Sequence, residues 1–215
     1  MKPIIAFDYD GVLADTFAAN LAFINRGITE VGGNVVVTPA HFEAVDEISF
    51  EQVTTLAGFN QSLFPEFMEF VVREGGEVIK VSELFVGIDE LLLSLQGKAH
   101  LVVVSNNHSM VVQQVLDRLE VSSLFDRITG GEKSETKEQR LLQACDDFGV
   151  SLENCWMIGD GVNDIESAHT AGCKSIAVSW GFQSLEKLTR YNPTKSVTTV
   201  LELQSFLQGL VSSLR

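Results

Sequence analysis

Asp8-Tyr9-Asp10-Gly11-Val12-Leu13-Ala14-Asp15 follows directly on the apolar run Ile4-Ile5-Ala6-Phe7. The run reads as a buried strand that ends by presenting two carboxylates at its C-terminal edge. Alternate residues of a strand point to the same side, so Asp8 and Asp10 can serve one site. Gly11 then lets the backbone turn sharply or approach a ligand closely. A polar loop after a strand explains any one of these residues. Two acids and a glycine in this register cost stability and are useful for chemistry.

Working outward, the same arrangement recurs. Leu101-Val102-Val103-Val104 runs into Ser105-Asn106-Asn107, Cys155-Trp156-Met157-Ile158 into Gly159-Asp160, and Ser175-Ile176-Ala177-Val178 into Ser179-Trp180-Gly181. Arg127-Ile128-Thr129 and Lys195-Ser196-Val197 are weaker strand candidates. Apolar runs without alternation fit strands covered on both faces, as in a parallel sheet. Helical spacing is found over 89–95, 109–119, 137–148 and 164–171, with Gly97, Gly149 and Gly172 as stops after three of these. Alternating strand and helix predict an α/β protein with a doubly wound parallel sheet, a Rossmann-like core. Ligands of such sheets sit beyond the C-terminal strand ends, where all the polar tips fall.

One stretch breaks the alternation. Residues 16–83 show helical patterns and no strand, which predicts an all-helical domain inserted into a core made of 1–15 and 84–215. Phe17, Leu21, Ile24 and Ile28 recur at helical spacing, and Thr38-Pro39 reads as an N-cap with proline in the first turn. Ser49 and Gln52 resemble a capping box, Gly58 stops that helix, and the stripe from Phe64 ends at Gly75-Gly76. Phe42, Phe50, Phe59, Phe64, Phe67 and Phe70 are expected to form the core of the insert, with pocket-lining as the other reading for a few. The run Val35-Val36-Val37 has no assigned structure.

The bulk properties bound the partners. The chain has 215 residues, 45% of them hydrophobic and 20% charged, which fits a globular protein. A net charge of −14 argues against a nucleic-acid partner. It leaves room for an anionic small substrate, because a bound cation reverses the local field. No apolar run approaches a membrane span, so no membrane partner is expected. The first strand begins within three residues of the N-terminus, so no signal peptide is expected, and Cys145, Cys155 and Cys173 are odd in number without ligand-like spacing. Together these point to reduced, structural thiols in a cytoplasmic protein.

A second acidic tip completes the site. In Gly159-Asp160-Gly161-Val162-Asn163-Asp164, Asp160 stands at a strand end and Asp164 in the first turn of the next helix. With Asp8 and Asp10 nearby, up to four negative charges meet. At an effective dielectric near 20, each like-charge pair costs about 3–4 kcal/mol, more than one lysine offsets. A divalent cation held by carboxylates does offset it, and hard oxygen ligands suit Mg²⁺. His41, His100, His108 and His169 are scattered and give no zinc pattern.

Asp8-Tyr9-Asp10-Gly11-Val12-Leu13, Ser105-Asn106, a downstream lysine and Gly159-Asp160-x-x-x-Asp164 resemble, in order, the four motifs of the haloacid dehalogenase superfamily. The helical insert, Ala168-x-x-Ala171-Gly172 and Ser179-Trp180-Gly181 resemble its phosphoglycolate-phosphatase-like group, whose insert is a helical cap. The resemblance implies a Mg²⁺-dependent phosphatase acting on a small phosphorylated metabolite through an aspartyl-phosphate. Asp8 would be the nucleophile and Asp10 the acid and then the base. Ser105 and Asn106, with the backbone at Gly11, would hold the phosphoryl oxygens. Asp160 would ligate the metal beside the Asp8 carboxylate and the Asp10 carbonyl, and Asp164 would orient the metal shell and the lysine. The group's Lys-Pro-x-Pro is absent from Gly130-Gly131-Glu132-Lys133-Ser134-Glu135-Thr136-Lys137. Lys137, at a helix start, is the expected lysine and Lys133 the alternative. The presence of Asp10 speaks against carbon–halogen chemistry. A phosphomutase of the β-phosphoglucomutase type, and a catalytically silent binding protein on the same scaffold, are the other readings.

Overall fold

The computed structural model describes residues 2–132 and 134–214. In chain order the strands are β1 (Ile4–Phe7), β2 (Ala14–Asp15), β3 (Glu83–Leu84), β4 (His100–Val104), β5 (Arg127–Thr129), β6 (Cys155–Gly159), β7 (Lys174–Val178) and β8 (Lys195–Val197). The helices are α1 (Phe17–Glu30), α2 (Pro39–Ala44), α3 (Phe50–Leu56), α4 (Phe64–Glu74), α5 (Gly76–Val81), α6 (Ile88–Leu95), α7 (Ser109–Arg118), α8 (Lys137–Phe148), α9 (Val162–Ala171), α10 (Leu185–Thr189) and α11 (Val200–Ser213).

Six parallel strands form one sheet in the order β5-β4-β1-β6-β7-β8. The chain leaves β1 towards β4 and β5, then returns to the other side of β1 for β6, β7 and β8. That reversal between β1 and β6 is the switch point at which open α/β sheets bind ligands. The register sets Phe7 beside Val103 and Ile158, so Asp8, Ser105 and Asp160 emerge at one edge.

Side-chain alternation separates two helical layers. Ile5, Phe7, Leu101, Val103, Trp156 and Ile158 pack on the face covered by α6, α7 and α11. Ile4, Ala6, Val102, Val104 and Met157 pack on the opposite face, under α8 and α9. Strands buried on both sides read as continuous apolar runs, which is the pattern the sequence shows.

Between β2 and β3 lie α1 to α5, an all-helical insert around a core of its own. Ile24, Ile28, Phe42, Val53, Phe59 and Phe67 are buried there, with Phe50 and Phe64 packed against them. Phe70 is buried as well and stacks on Phe67. The Phe67 ring meets those of Phe50 and Phe59 edge-on at 5.9 and 5.8 Å between centroids.

The insert departs from the sequence expectation at two points, the β2–β3 ribbon and the capping of α3. Ala14–Asp15 and Glu83–Leu84 pair as a two-residue antiparallel ribbon where the insert joins the sheet, too short to leave a periodic signal. The stripe from Phe64 ends at Glu74, just before the glycine pair as expected; Gly75 keeps a right-handed φ of −57° and α5 follows at once. Ser49 accepts from the Gln52 backbone amide, but the Gln52 side chain bonds Glu47, which makes half a capping box. Residues 35–37 have no regular structure, although Val37 is buried.

Candidate active site

Lys137 opens α8, and the start of that helix is fixed locally. Thr136 caps it, accepting from the Gln139 amide while its own amide donates to the Gln139 side chain at 3.0 Å. The capped turn aims a buried Lys137 ammonium at two carboxylates, Asp8 Oδ2 at 2.8 Å and Asp164 Oδ1 at 2.5 Å. Asp164 is the third residue of α9, and its other oxygen accepts from the Gly161 amide at 3.0 Å. The second oxygen of Asp8 accepts from the Tyr9 amide at 2.8 Å. Lys133 lies outside the described residues.

Asp160 is seated by close backbone approach. Its Oδ2 accepts from the Phe182 amide at 2.6 Å. A Cβ added at Gly11, where φ is +74°, would stand 2.1 Å from that oxygen, and one at Gly181 would stand 2.2 Å from it. Both glycines are therefore demanded by the space Asp160 occupies.

The Asp10 carboxylate faces a different set of partners. Thr16 Oγ1 donates to it at 2.7 Å, Asn20 Nδ2 at 3.3 Å and Asn107 Nδ2 at 3.3 Å. Thr16 and Asn20 belong to the start of the insert and Asn107 to the tip of β4, so Asp10 joins the two parts of the molecule. Ser105 is buried at that tip and accepts from the Asn107 amide, whereas Asn106 is exposed. Arg140, buried one turn after Lys137, donates to the Ser105 carbonyl and, at 3.1 Å, to Asn106 Oδ1.

Burial is the strongest influence on the acids. It holds the Asp8 carboxyl up to about 7, because Lys137 shares its charge with Asp164 while Asp164 and Asp10 repel. Burial likewise raises Asp10, against the hydrogen bonds from Thr16, Asn107 and Asn20. Asp160 is raised well above the usual carboxylate range by burial and then by Asp8 and Asp164. Lys137 is raised despite burial, because Asp164 and Asp8 both hold its proton.

Carboxylate oxygens of Asp8, Asp160 and Asp164 all lie within 4.8 Å of one another, with one ammonium among them. Three buried acids against one lysine leave negative charge uncompensated, and every donor is a hard oxygen. The residues present thus fit a small divalent cation such as Mg²⁺.

The fold brings Asp8, Asp160, Asp164 and Lys137 into one cluster and sets Asp10, Ser105 and Asn106 around it. Sequence reading missed Arg140, Asn107, Thr16, Asn20 and Gln183. Arg140 stands three residues after Lys137 and so shares its helix face, a signal that was available. Gln183 is buried; its side chain accepts from the Val162 amide at 2.8 Å and donates to the carbonyls of Phe42 at 2.9 Å and Val45 at 2.6 Å. No helix among the described residues is long and apolar enough to cross a membrane.

Over 98% of its length the chain is 25% identical to a phosphoglycolate phosphatase of Synechococcus elongatus, of which the match covers 98%. It is 29% identical to a 5'-nucleotidase of Pseudomonas aeruginosa, with 96% of each chain covered. In three dimensions it resembles a haloacid dehalogenase-like family hydrolase from Streptococcus pneumoniae, with a TM-score of 0.85, 22% identity, and 96% of this chain and 98% of the other covered. Residues 5–178 match the family model described as haloacid dehalogenase-like hydrolase, and the chain belongs to that family.

Proposed function

We propose that this protein is a Mg²⁺-dependent phosphatase that hydrolyses a small phosphate monoester through an aspartyl-phosphate on Asp8. The observation that carries the reading is the buried Lys137 ammonium, held between Asp8 and Asp164 at the switch point of the sheet. Membership in a hydrolase family supports a phosphoric monoester hydrolase, as do relatives named for phosphate-ester substrates.

Asp8 attacks phosphorus, forming a new P–O bond as the bond to the leaving oxygen breaks. Asp10 gives a proton to that leaving oxygen, a role that burial favours by raising its carboxyl above the ordinary value. In the second half Asp10, again a carboxylate, takes a proton from the water that opens the acyl phosphate. Ser105, Asn106 and the backbone at Gly11 receive the phosphoryl oxygens, and Lys137 steadies their charge. Asp8, Asp160 and the Asp10 carbonyl would hold Mg²⁺, oriented by Asp164; when bound, the ion neutralises charge on the phosphoryl group.

Residues 1–15 and 84–215 form the catalytic core, and 16–83 act as a cap over the strand tips. Thr16 and Asn20 support this division, since they bring the start of the insert onto Asp10. The cap excludes water in the first half-reaction and selects the leaving group. The test is phosphate release from a panel of small phosphorylated metabolites, with Mg²⁺ or with excess chelator. Turnover should require Mg²⁺ and vanish in Asp8→Asn; wild-type rates in chelator or in that variant would contradict the mechanism.

A further inference from the structure

Cys145, Cys155 and Cys173 come from α8, the first residue of β6 and the turn after α9, yet their sulfur atoms lie within 4.8 Å of one another. All three are reduced and buried on the sheet face covered by α8 and α9. The group stands at the opposite end of β6 from Asp160, which is five residues on and so about 16 Å away. The catalytic cluster does not use it.

A buried cysteine serves well as a small hydrophobe. That accounts for each thiol singly and leaves the convergence of three sulfurs from three elements unexplained. A triangle with sides of at most 4.8 Å has its centre at most about 2.8 Å from each corner, and zinc–thiolate bonds are about 2.3 Å. A shift of about half an ångström per sulfur therefore forms three metal bonds without refolding.

We propose that this triad is a second metal site, which binds one soft divalent cation of the zinc group through three thiolates. Charge favours the divalent ion: it leaves one negative charge with three thiolates, where a monovalent ion leaves two. The three thiols belong to an apolar cluster with Ile4, Ala144, Val150 and Ala171, and such a setting penalises residual charge. An all-sulfur ligand set selects against Mg²⁺. Binding breaks three S–H bonds, forms three sulfur–metal bonds and releases three protons to solvent. The bound ion ties together two helices whose active-site ends present Lys137 and Asp164.

The experiment titrates the reduced, chelator-stripped chain with Cd²⁺ in excess Mg²⁺, which occupies the hard-oxygen site. It follows the ultraviolet thiolate-to-cadmium absorbance and the ¹¹³Cd resonance. The expected result is saturation at one equivalent, a resonance in the sulfur-ligated range, and at least tenfold weaker binding in Cys145→Ser and Cys173→Ser. The wild-type resonance decides the ligand type even if a serine variant fails to fold. An oxygen-ligated resonance, absence of the thiolate band, or undiminished affinity in folded serine variants overturns the proposal.

Discussion

Arg140 donates through one guanidinium nitrogen to the carbonyl of Ser105 and through another to the side chain of Asn106, so a single buried arginine holds both residues of the β4 tip. Lys137 leaves the same helix face one turn earlier and reaches Asp8. One capped helix start thus sets Lys137 and the β4 tip relative to each other.

Arg140→Ala is expected to lower kcat/KM about tenfold to a hundredfold while leaving the Mg²⁺ requirement unchanged, since misplacing a positioning group by an ångström has effects of that size. Arg140→Lys should not restore it, because an ammonium cannot supply two donors in a fixed fork. Steady-state kinetics on the folded variants checks both. A loss of stability with unaltered kinetics would reduce Arg140 to a packing role.

Lys137→Ala should lower turnover by two or more orders of magnitude, in line with losing about 3–4 kcal/mol of transition-state charge contact. Lys133→Ala should stay within about tenfold of wild type. Reversal of these two effects would move the catalytic cation to Lys133 and leave the rest of the mechanism standing.

Asp8 gives a pH dependence with a definite sign. The folded chain holds its proton up to about 7, whereas the ordinary value is 3.8. Between these values the folded state binds more protons than the unfolded one, so this group's stabilising contribution declines as pH rises. In chelator, the melting temperature of Asp8→Asn relative to wild type should therefore be higher at pH 8 than at pH 5. Added Mg²⁺ should raise the wild-type melting temperature more at pH 8, where the Asp8 carboxylate is free to bind it. Thermal melts of both proteins at the two pH values decide the matter.

Gly11→Ala tests how Asp160 is seated. The new methyl group would meet Asp160 Oδ2 at 2.1 Å, at a positive φ that alanine tolerates poorly. The apparent Mg²⁺ requirement should rise, and turnover at saturating Mg²⁺ should fall. An unchanged metal titration would show that Asp160 tolerates displacement.

The acidic cluster was legible because each carboxylate directly follows an apolar strand or caps the helix after it, so local pattern alone placed Asp8, Asp160 and Asp164 at neighbouring tips. Lys137 was legible from the helical stripe that it begins. Arg140 shares the helix face of Lys137, but the inward burial of Arg140 and of Gln183 was not legible, because a charged or amide residue on a helix or in a loop reads as solvated until the packing around it is known. The β2–β3 ribbon escaped because two residues carry no periodicity. The cysteines looked unrelated because their nearness is set by strand order and helix packing, which linear spacing does not encode.

Gln183 offers the sharpest test of the insert as a cap. Its side chain bridges the Val162 amide, at the start of the helix that carries Asp164, to the carbonyls of Phe42 and Val45 in the insert. Lys187 reinforces the same seam by donating to the carbonyls of Glu43 and Val45. Gln183→Ala leaves buried backbone groups on both sides unpaired, which should cost about 1–3 kcal/mol of stability. If the insert selects substrates from this seat, the variant should also raise KM unequally across a panel of phosphate monoesters. The rate on a small aryl phosphate, which needs little from the insert, should change least. Chemical denaturation measures the first effect and the substrate panel the second. Equal KM changes for every substrate, together with the expected loss of stability, would make the seam structural and count against the insert as selector.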